Sequence, residues 1–537
     1  MKHPPAPRLC LRVGVSGHRN INADVAKVLR KHLDGVFEIL DHTVEELAER
    51  YRDYFGHQTP IKRLVSPLAE GADMLAADAA RAATRFRRRL PFAASEYARD
   101  FEGAMKQALE QQIAAADAVF ELNGQRDGGR MEESSYLVAG YLTLRHCDVL
   151  VALWDGKAAR GIGGTAMVVE AAVQRGVPVI WINSEGTQDP CILRSDLLCG
   201  PPVNEIRNLL WQTLAPPFVA DQSSEEDSFN RRARRAAVEF RRERERRINY
   251  GLLFQLFQAL VARQWPKQLQ LFQRPYQRIT KDNWQRFEAV VGQHNPAAWK
   301  RITDLLAPRY GWADGLATYY SAVYRSSYVF NYLMGAIAVF LALLALLGNL
   351  SEPLLIAAEA GEALAIASIL AVTTMGRKRR WHERWIDYRQ LAEQLRHLRF
   401  LYLTGGASAN MTPRHNYDSG SSEGGWVQWY YQATMREIGL ASARATPVYL
   451  NAVKDLFLEE EISGQISYHE RNASRMHRME HSLHGLGELL FVTTLLIVAG
   501  YLIYTLGHLI DSLSAGHGPG RPGRQRRLSY RARERLG

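Results

Sequence analysis

The chain has 537 residues, 47% hydrophobic and 23% charged, a balance that excludes a disordered chain and calls for several folded domains. Its formal charge of +11 is spread along the sequence, so it does not single out a nucleic-acid binder and fits a membrane-facing cytoplasmic protein at least as well. The first 12 residues hold no apolar stretch of secretory type, and four cysteines (Cys10, Cys147, Cys191, Cys199) have neither zinc-ligand spacing nor a paired framework. A reducing compartment is expected, with each cysteine a small core or loop filler.

Strand and helix alternate through the front of the chain. Leu9–Ser16 is an apolar run that stops at Ser16-Gly17 and offers His18 and Arg19. The long helix that follows starts near Asn22 and stops by Gly56, because Val25, Leu29, Leu33, Phe37, Leu40, Val44 and Leu47 recur every three or four residues. Ile61–Ser66 is a second strand, leading through PLAEGAD into an Ala-rich helix from Asp73. A short strand near Leu90 precedes PFAASEYARDF and another helix, and Ala118–Leu122 adds a strand. Cys147–Trp154 is nearly all apolar, the composition of a strand buried on both faces. After it come a glycine-rich turn, a helix, and the strand Val177–Ile182, a parallel strand-helix-strand unit of the usual right hand. The fold expected is a doubly wound parallel α/β sheet.

In such sheets ligands gather beyond the carboxyl ends of the strands, beside helix N-termini. Three loops fall there: Ser16, Gly17, His18 and Arg19; Glu70, Gly71, Ala72 and Asp73; and Asp155, Gly156, Gly163, Gly164 and Thr165. Gly163-Gly164-Thr165 opens a helix, whose free N–H groups and positive dipole end favour phosphate. Thr165 adds a hydroxyl or simply caps the helix, Gly71 allows a tight turn, and Asp73 is a ligand contact or an ordinary first-turn acid. Arg19 is the bidentate donor, and His18 stacks or caps. The Gly-Lys-Ser/Thr of a P-loop is missing.

Further on, Ser223–Asp227 reads as a helix start, and nine arginines from Arg231 to Arg247 interleave with Glu239, Glu243 and Glu245. That segment is a solvated, ion-paired helix or a contact for anionic lipid. Tyr328–Gly348 is apolar and uncharged, and Leu354–Met375 is long enough to cross a bilayer despite Glu359 and Glu362. The two make a helical hairpin. Arg325 before it and Arg377–Arg380 after it place both flanks, and the front half, in the cytoplasm. Glu359 and Glu362 share a helix face; they sit at headgroup level or line the mouth of a pore, which one hairpin could form only as an oligomer. Trp381, Trp385, Tyr388, Ala392, Leu395 and Tyr402 form an apolar stripe that packs within the chain or between subunits. Gly405–Gly425 is a Ser/Gly-rich flexible break, Leu486–Ile510 a third span, and Gly516–Gly537 a tail with seven arginines that reads as an altered or truncated end.

The segments VGVSGHR, LAEGADMLAADAA, LPFAASEYARDF and CDVLVALWDG with GIGGTAMVVE resemble the SLOG family of Rossmann-like domains, relatives of LOG enzymes and DprA proteins, over about residues 8–200. WADGLATYYSAVYRSSYVFNYLMGA and RKRRWHERWIDYRQLAEQLRHLRFLY are similar to SLATT membrane domains, over about 310–405. The resemblance implies a sensor of a nucleotide or NAD-derived ligand joined to an oligomeric membrane effector at a bacterial inner membrane, in antiphage defence. LOG enzymes carry Pro-Gly-Gly-x-Gly-Thr-x-x-Glu; here no Pro precedes the glycines and Glu170 stands five places after Thr165 rather than three, a rotation of about 200° on a helix. Binding without turnover is therefore preferred to a membrane-tethered nucleotide hydrolase; a ligand-free membrane scaffold is the third reading. The organisation expected is a sensor at 1–200, a connector at 201–309, the hairpin region at 310–405, cytoplasmic helices at 406–485, the third membrane segment at 486–510 and the tail at 511–537.

Overall fold

The computed structural model describes residues 2–80, 85–159, 161–218, 228–261, 272–347, 351–408 and 424–515. The expected helix start at 223–227, most of the break at 405–425, and the arginine tail from 516 lie outside these residues.

Nine strands form one sheet: β1 Cys10–Gly17, β2 Ile61–Ser66, β3 Arg85–Leu90, β4 Ala118–Glu121, β5 Val149–Trp154, β6 Val179–Asn183, β7 Cys191–Leu193, β8 Cys199–Pro202 and β9 Ala443–Arg444. Their order is β8-β7-β6-β5-β1-β2-β3-β4-β9, parallel from β6 to β9, with β7 and β8 antiparallel. The expected α/β fold is thus present, as a mixed sheet with a parallel majority. The strands are near-continuous apolar runs because both faces are covered. Along β5, Val149, Val151 and Leu153 enter one core while Leu150, Ala152 and Trp154 enter another.

The helices in chain order are α1 Ala23–Arg50, α2 Ala72–Ala79, α3 Ala94–Tyr97, α4 Gly103–Ala114, α5 Arg130–Arg145, α6 Thr165–Gln174, α7 Ile206–Leu214, α8 Ser228–Arg242, α9 Leu252–Val261, α10 Tyr276–Asn283, α11 Gln285–His294, α12 Pro296–Arg301, α13 Ala307–Leu347, α14 Glu352–Lys378, α15 Trp381–Leu403, α16 Gly424–Ile438, α17 Pro447–Phe457 and α18 Gly464–Ala515. α1 starts where the Asn22 side chain accepts from Asp24 N at 3.0 Å. It buries Leu29, Leu33, Phe37, Leu40, Val44 and Leu47, the stripe its spacing predicts. Each such side chain contributes about 1.5–3 kcal/mol by leaving water.

One compact unit comprises residues 1–254, 268–328 and 373–468. The α/β sheet is therefore completed by chain that follows the hairpin. β9 adds to the β4 edge, pairing Phe120 with Ala443 and Glu121 with Arg444. α16 packs on β1 and carries a buried charge network with it. Asp148 accepts from Arg12 Nη2 at 2.8 Å, Arg12 Nε at 3.1 Å and Arg436 Nε at 2.9 Å. Arg63, buried in β2, donates to the backbone carbonyls of Arg436 and Glu437, and Glu437 in turn accepts from Arg309 in α13. Buried charges are tolerated where carboxylates and backbone carbonyls receive them in this way.

The stripe on α15 packs within this unit: Tyr388 meets Phe240 at 5.2 Å, Tyr320 at 5.7 Å and Trp426 at 6.1 Å. The arginine-rich α8 is likewise ion-paired, Arg235 to Glu239 at 2.8 Å and Arg384 to Glu239 at 3.1 Å. Just beyond α8, the buried Glu243 accepts from Tyr320 Oη at 2.5 Å, Arg384 Nη1 at 2.8 Å and Tyr388 Oη at 3.3 Å, so one carboxylate holds α13 and α15 together.

The cysteine expectation needs correction. Cys191 and Cys199 form a disulfide with Cα atoms 5.8 Å apart, because the β7–β8 turn folds eight residues back on themselves. Cys10 and Cys147 are free and buried.

The second unit comprises 255–267, 329–372 and 469–537. Among the described residues, three helices are long and apolar enough to cross a membrane: Pro296–Ala345, Glu352–Lys378 and Pro447–Asp511, whose most apolar 18-residue stretches have mean hydropathies of 2.0, 1.9 and 2.2. The first span is the continuation of a helix that begins before it. Large apolar side chains on these helices stand open, Phe340 at 62%, Leu364 at 71% and Ile503 at 70%, as lipid-facing positions do. Gly361 lets the hairpin arms meet closely; a Cβ there would lie 3.0 Å from Leu341. Glu359 is exposed and Glu362 half-buried on α14.

Candidate functional site at the switch of the sheet

From β1 the chain winds outward through β2 and β3 to β4, then returns to lay β5 on the other side of β1. The strand order thus reverses between β1 and β5, the point beyond whose carboxyl ends ligands bind in open sheets of this kind. Two of the three expected loops meet there. Ser16 pairs with Ala152 and Gly17 with Leu153. Gly17 is required by space, since a Cβ would come within 2.3 Å of Ala72 Cβ. His18 N then donates to Leu153 O at 3.1 Å, tying the β1 loop to the end of β5.

His18 Nε2 lies 3.1 Å from Asp155 N and 3.2 Å from Asp155 Oδ1. A neutral ring accepts from the amide; a protonated ring pairs with the carboxylate. Burial opposes ionisation of Asp155, but the Lys157 N–H and His18 outweigh it and hold the carboxyl below its usual range. Gly156 follows at φ +78°.

The Glu70–Asp73 loop buttresses the first. Gly71 has φ +82°, and a Cβ there would lie 2.1 Å from Arg19 O. Ala72 N donates to His18 O at 3.1 Å, so the first turn of α2 is closed by the β1 loop. Ala72 and Asp73 are enclosed, at 0% and 1% exposure. Asp73 accepts from Ser66 Oγ at 2.8 Å and Ala69 N at 3.2 Å, which fixes the turn after β2. Glu70 is exposed.

α6 contributes the anion-suited end. Gly164 is extended at its N-cap, with no side-chain hydrogen bond, and Thr165 is the first helical residue. α5 begins differently: Asp127 accepts from Gly129 N at 2.9 Å and Glu132 N at 3.1 Å, occupying its N-terminus with a carboxylate. Gly163 stands at φ +86°, where a Cβ would lie 2.9 Å from Glu133 O, so the glycine turn is fitted against α5.

Arg19 is exposed, with its guanidinium 4.6 Å above the Tyr136 ring of α5. Tyr136 Oη donates to Asp100 at 2.5 Å, and Asp100 pairs with Arg126 at 2.7 Å. Sequence reasoning missed Tyr136, Asp100 and Arg126. Tyr136 lies on a helix without a motif, Arg126 in the loop before that helix and Asp100 within the PFAASEYARDF segment, and only tertiary packing brings the three to the β1 loop. This end of the sheet therefore has a cation resting on an aromatic face, a helix start without a side-chain cap, and carboxylates already held by partners. Such a set can receive a phosphate.

Residues 309–415 match a family described as a protein of unknown function (DUF4231), a stretch that contains the hairpin and α15. No curated protein and no solved structure matches the chain.

Proposed function

We propose that this chain is a membrane-anchored sensor that binds a nucleotide or NAD-derived ligand at the β1/β5 switch and acts on the bilayer as a homo-oligomer through its hairpin. The observation that carries the reading is the convergence at the strand-order reversal of Arg19, the His18–Asp155 pair and the uncapped N-terminus of α6. A phosphate there would accept from the amides of α6 and from the Arg19 guanidinium. Binding is favoured over hydrolysis because Asp155, Asp100 and Asp73 are each engaged by protein donors. Glu170 lies on the exposed side of α6. The membrane action would be a path opened between subunits, with Glu359 and Glu362 at its polar mouth, and its use in a bacterial cell would be arrest of infected cells.

The test is purified full-length protein in liposomes loaded with a self-quenched dye, challenged with cyclic and NAD-derived nucleotides. Leakage with a ligand that also binds the protein is expected. A ligand that binds at the switch and releases no dye refutes the effector reading.

A further inference from the structure

A second concavity lies away from the sheet, built entirely from residues 245–312: the stretch after α8, helices α10 to α12 and the first turns of α13. Its volume, about 550 Å³, falls within the range of small-molecule sites. Tyr276, Trp299 and Trp312 line it: Tyr276 and Trp312 are buried in its floor, their rings edge to face at 5.0 Å, and Trp299 is half-buried with its ring accessible from the cleft. Aromatic faces hold flat rings by stacking.

The charges around these faces select further. Arg247 and Lys281 line the cleft, are exposed, and have no ion pair among the described residues. Of the two acids, Glu245 already accepts from Tyr276 N at 3.1 Å, while Glu288 is exposed and without a side-chain hydrogen bond among the described residues. A simple organic cation would face two unpaired cations. A bare inorganic anion would leave the aromatic faces unused, and a hydrocarbon would strand the charges. A ligand with a flat ring, an anionic group and hydroxyl donors uses all three features.

We propose that this cleft is a second ligand site, for a mononucleotide-class molecule: the base over Trp299, the phosphate with Arg247 and Lys281, and ribose hydroxyls toward Glu288. It does not rest on the switch-point reading. Trp312 belongs to the same continuous helix that carries the first candidate span, so the ligand would touch that helix directly.

The experiment is photolabelling of the full chain in detergent with 8-azido-AMP, with the labelled peptides located by mass spectrometry. Label within residues 276–312, competed by AMP, is expected. Lys281→Glu and Arg247→Glu should each weaken it by about tenfold, the cost of one charge-assisted contact, while Arg19→Ala leaves it unchanged. Both substituted residues are exposed, so the fold survives, and an unchanged helical circular dichroism signal checks this. Absence of label overturns the proposal, as does cleft label indifferent to the two charge reversals. Label confined to residues 16–19 and 155–165 also overturns it, but leaves the switch-point site standing.

Discussion

Replacing Asp148 by Asn tests whether the α/β body and the chain after the hairpin are one folding unit. In the native protein the Asp148 carboxylate accepts four hydrogen bonds, from Arg12 N, Nε and Nη2 and from Arg436 Nε. Asn keeps the shape but only one acceptor oxygen, and turns an amide NH₂ toward two buried guanidiniums. Two bonds are lost and two charges lose their counter-ion, in the regime where breaking a buried pair costs about 3–5 kcal/mol. For a body of this size the melting midpoint should fall by roughly 5 °C. The acid limb gives a second reading. Burial opposes ionisation of Asp148, but Arg12 and Arg436 outweigh it and hold the carboxyl down to about 2. A pKa depressed by folding contributes stability that is present above the unfolded value near ~3.9 and is lost as pH falls through about 2. That contribution is about 2 kcal/mol, and the Asn variant lacks it. The assay is near-ultraviolet circular dichroism melting of detergent-solubilised protein between pH 2 and 7. An Asn variant that melts within about 1 °C of the native protein, roughly the effect of a 0.5 kcal/mol change, with the wild-type acid slope intact, would refute the argument.

Gly71→Ala should displace the Arg19 backbone, because its Cβ would lie 2.1 Å from Arg19 O; isothermal titration should show nucleotide binding at the switch lost while membrane insertion persists. Gly164→Ala should be mild, since the nearest atom to a Cβ there is 3.6 Å away, whereas Gly163→Ala meets Glu133 O at 2.9 Å and must distort the turn. Equal thermal stability of these two variants would contradict the geometry. Glu243→Gln should loosen the α13–α15 junction at a cost of about 3 kcal/mol, read as faster proteolysis between the hairpin and α16. Thiol alkylation of the unfolded, unreduced protein should modify two cysteines, Cys10 and Cys147, and reduction should expose Cys191 and Cys199 as well.

Elements that carry their own periodicity were legible in the sequence. β1 and β5 announce themselves as apolar runs, α1 by its stripe, and the hairpin by the length of its uncharged segments. β9 could not be read, because two residues, Ala443 and Arg444, have no pattern and owe their strand geometry to β4. The disulfide was missed because an eight-residue spacing means nothing until β7 and β8 are known to pair. At the switch of the sheet the loops were found through glycine and strand ends, but Tyr136 was not, since the approach of α5 to the β1 loop is a tertiary fact. Asp148 shows the same limit. Within CDVLVALW it is only the one charged residue of an apolar run, and its second arginine lies far down the chain.

That separation has a temporal meaning. Asp148 and Arg436 are 288 residues apart, with the hairpin between them. At bacterial-to-eukaryotic elongation rates of about 5–20 residues per second, roughly 15–60 s pass after Asp148 is made before its second arginine exists. Both hairpin arms leave the ribosome during that wait. The nascent α/β body therefore waits with β4 as an open edge, and it is sealed only after the apolar hairpin has been synthesised.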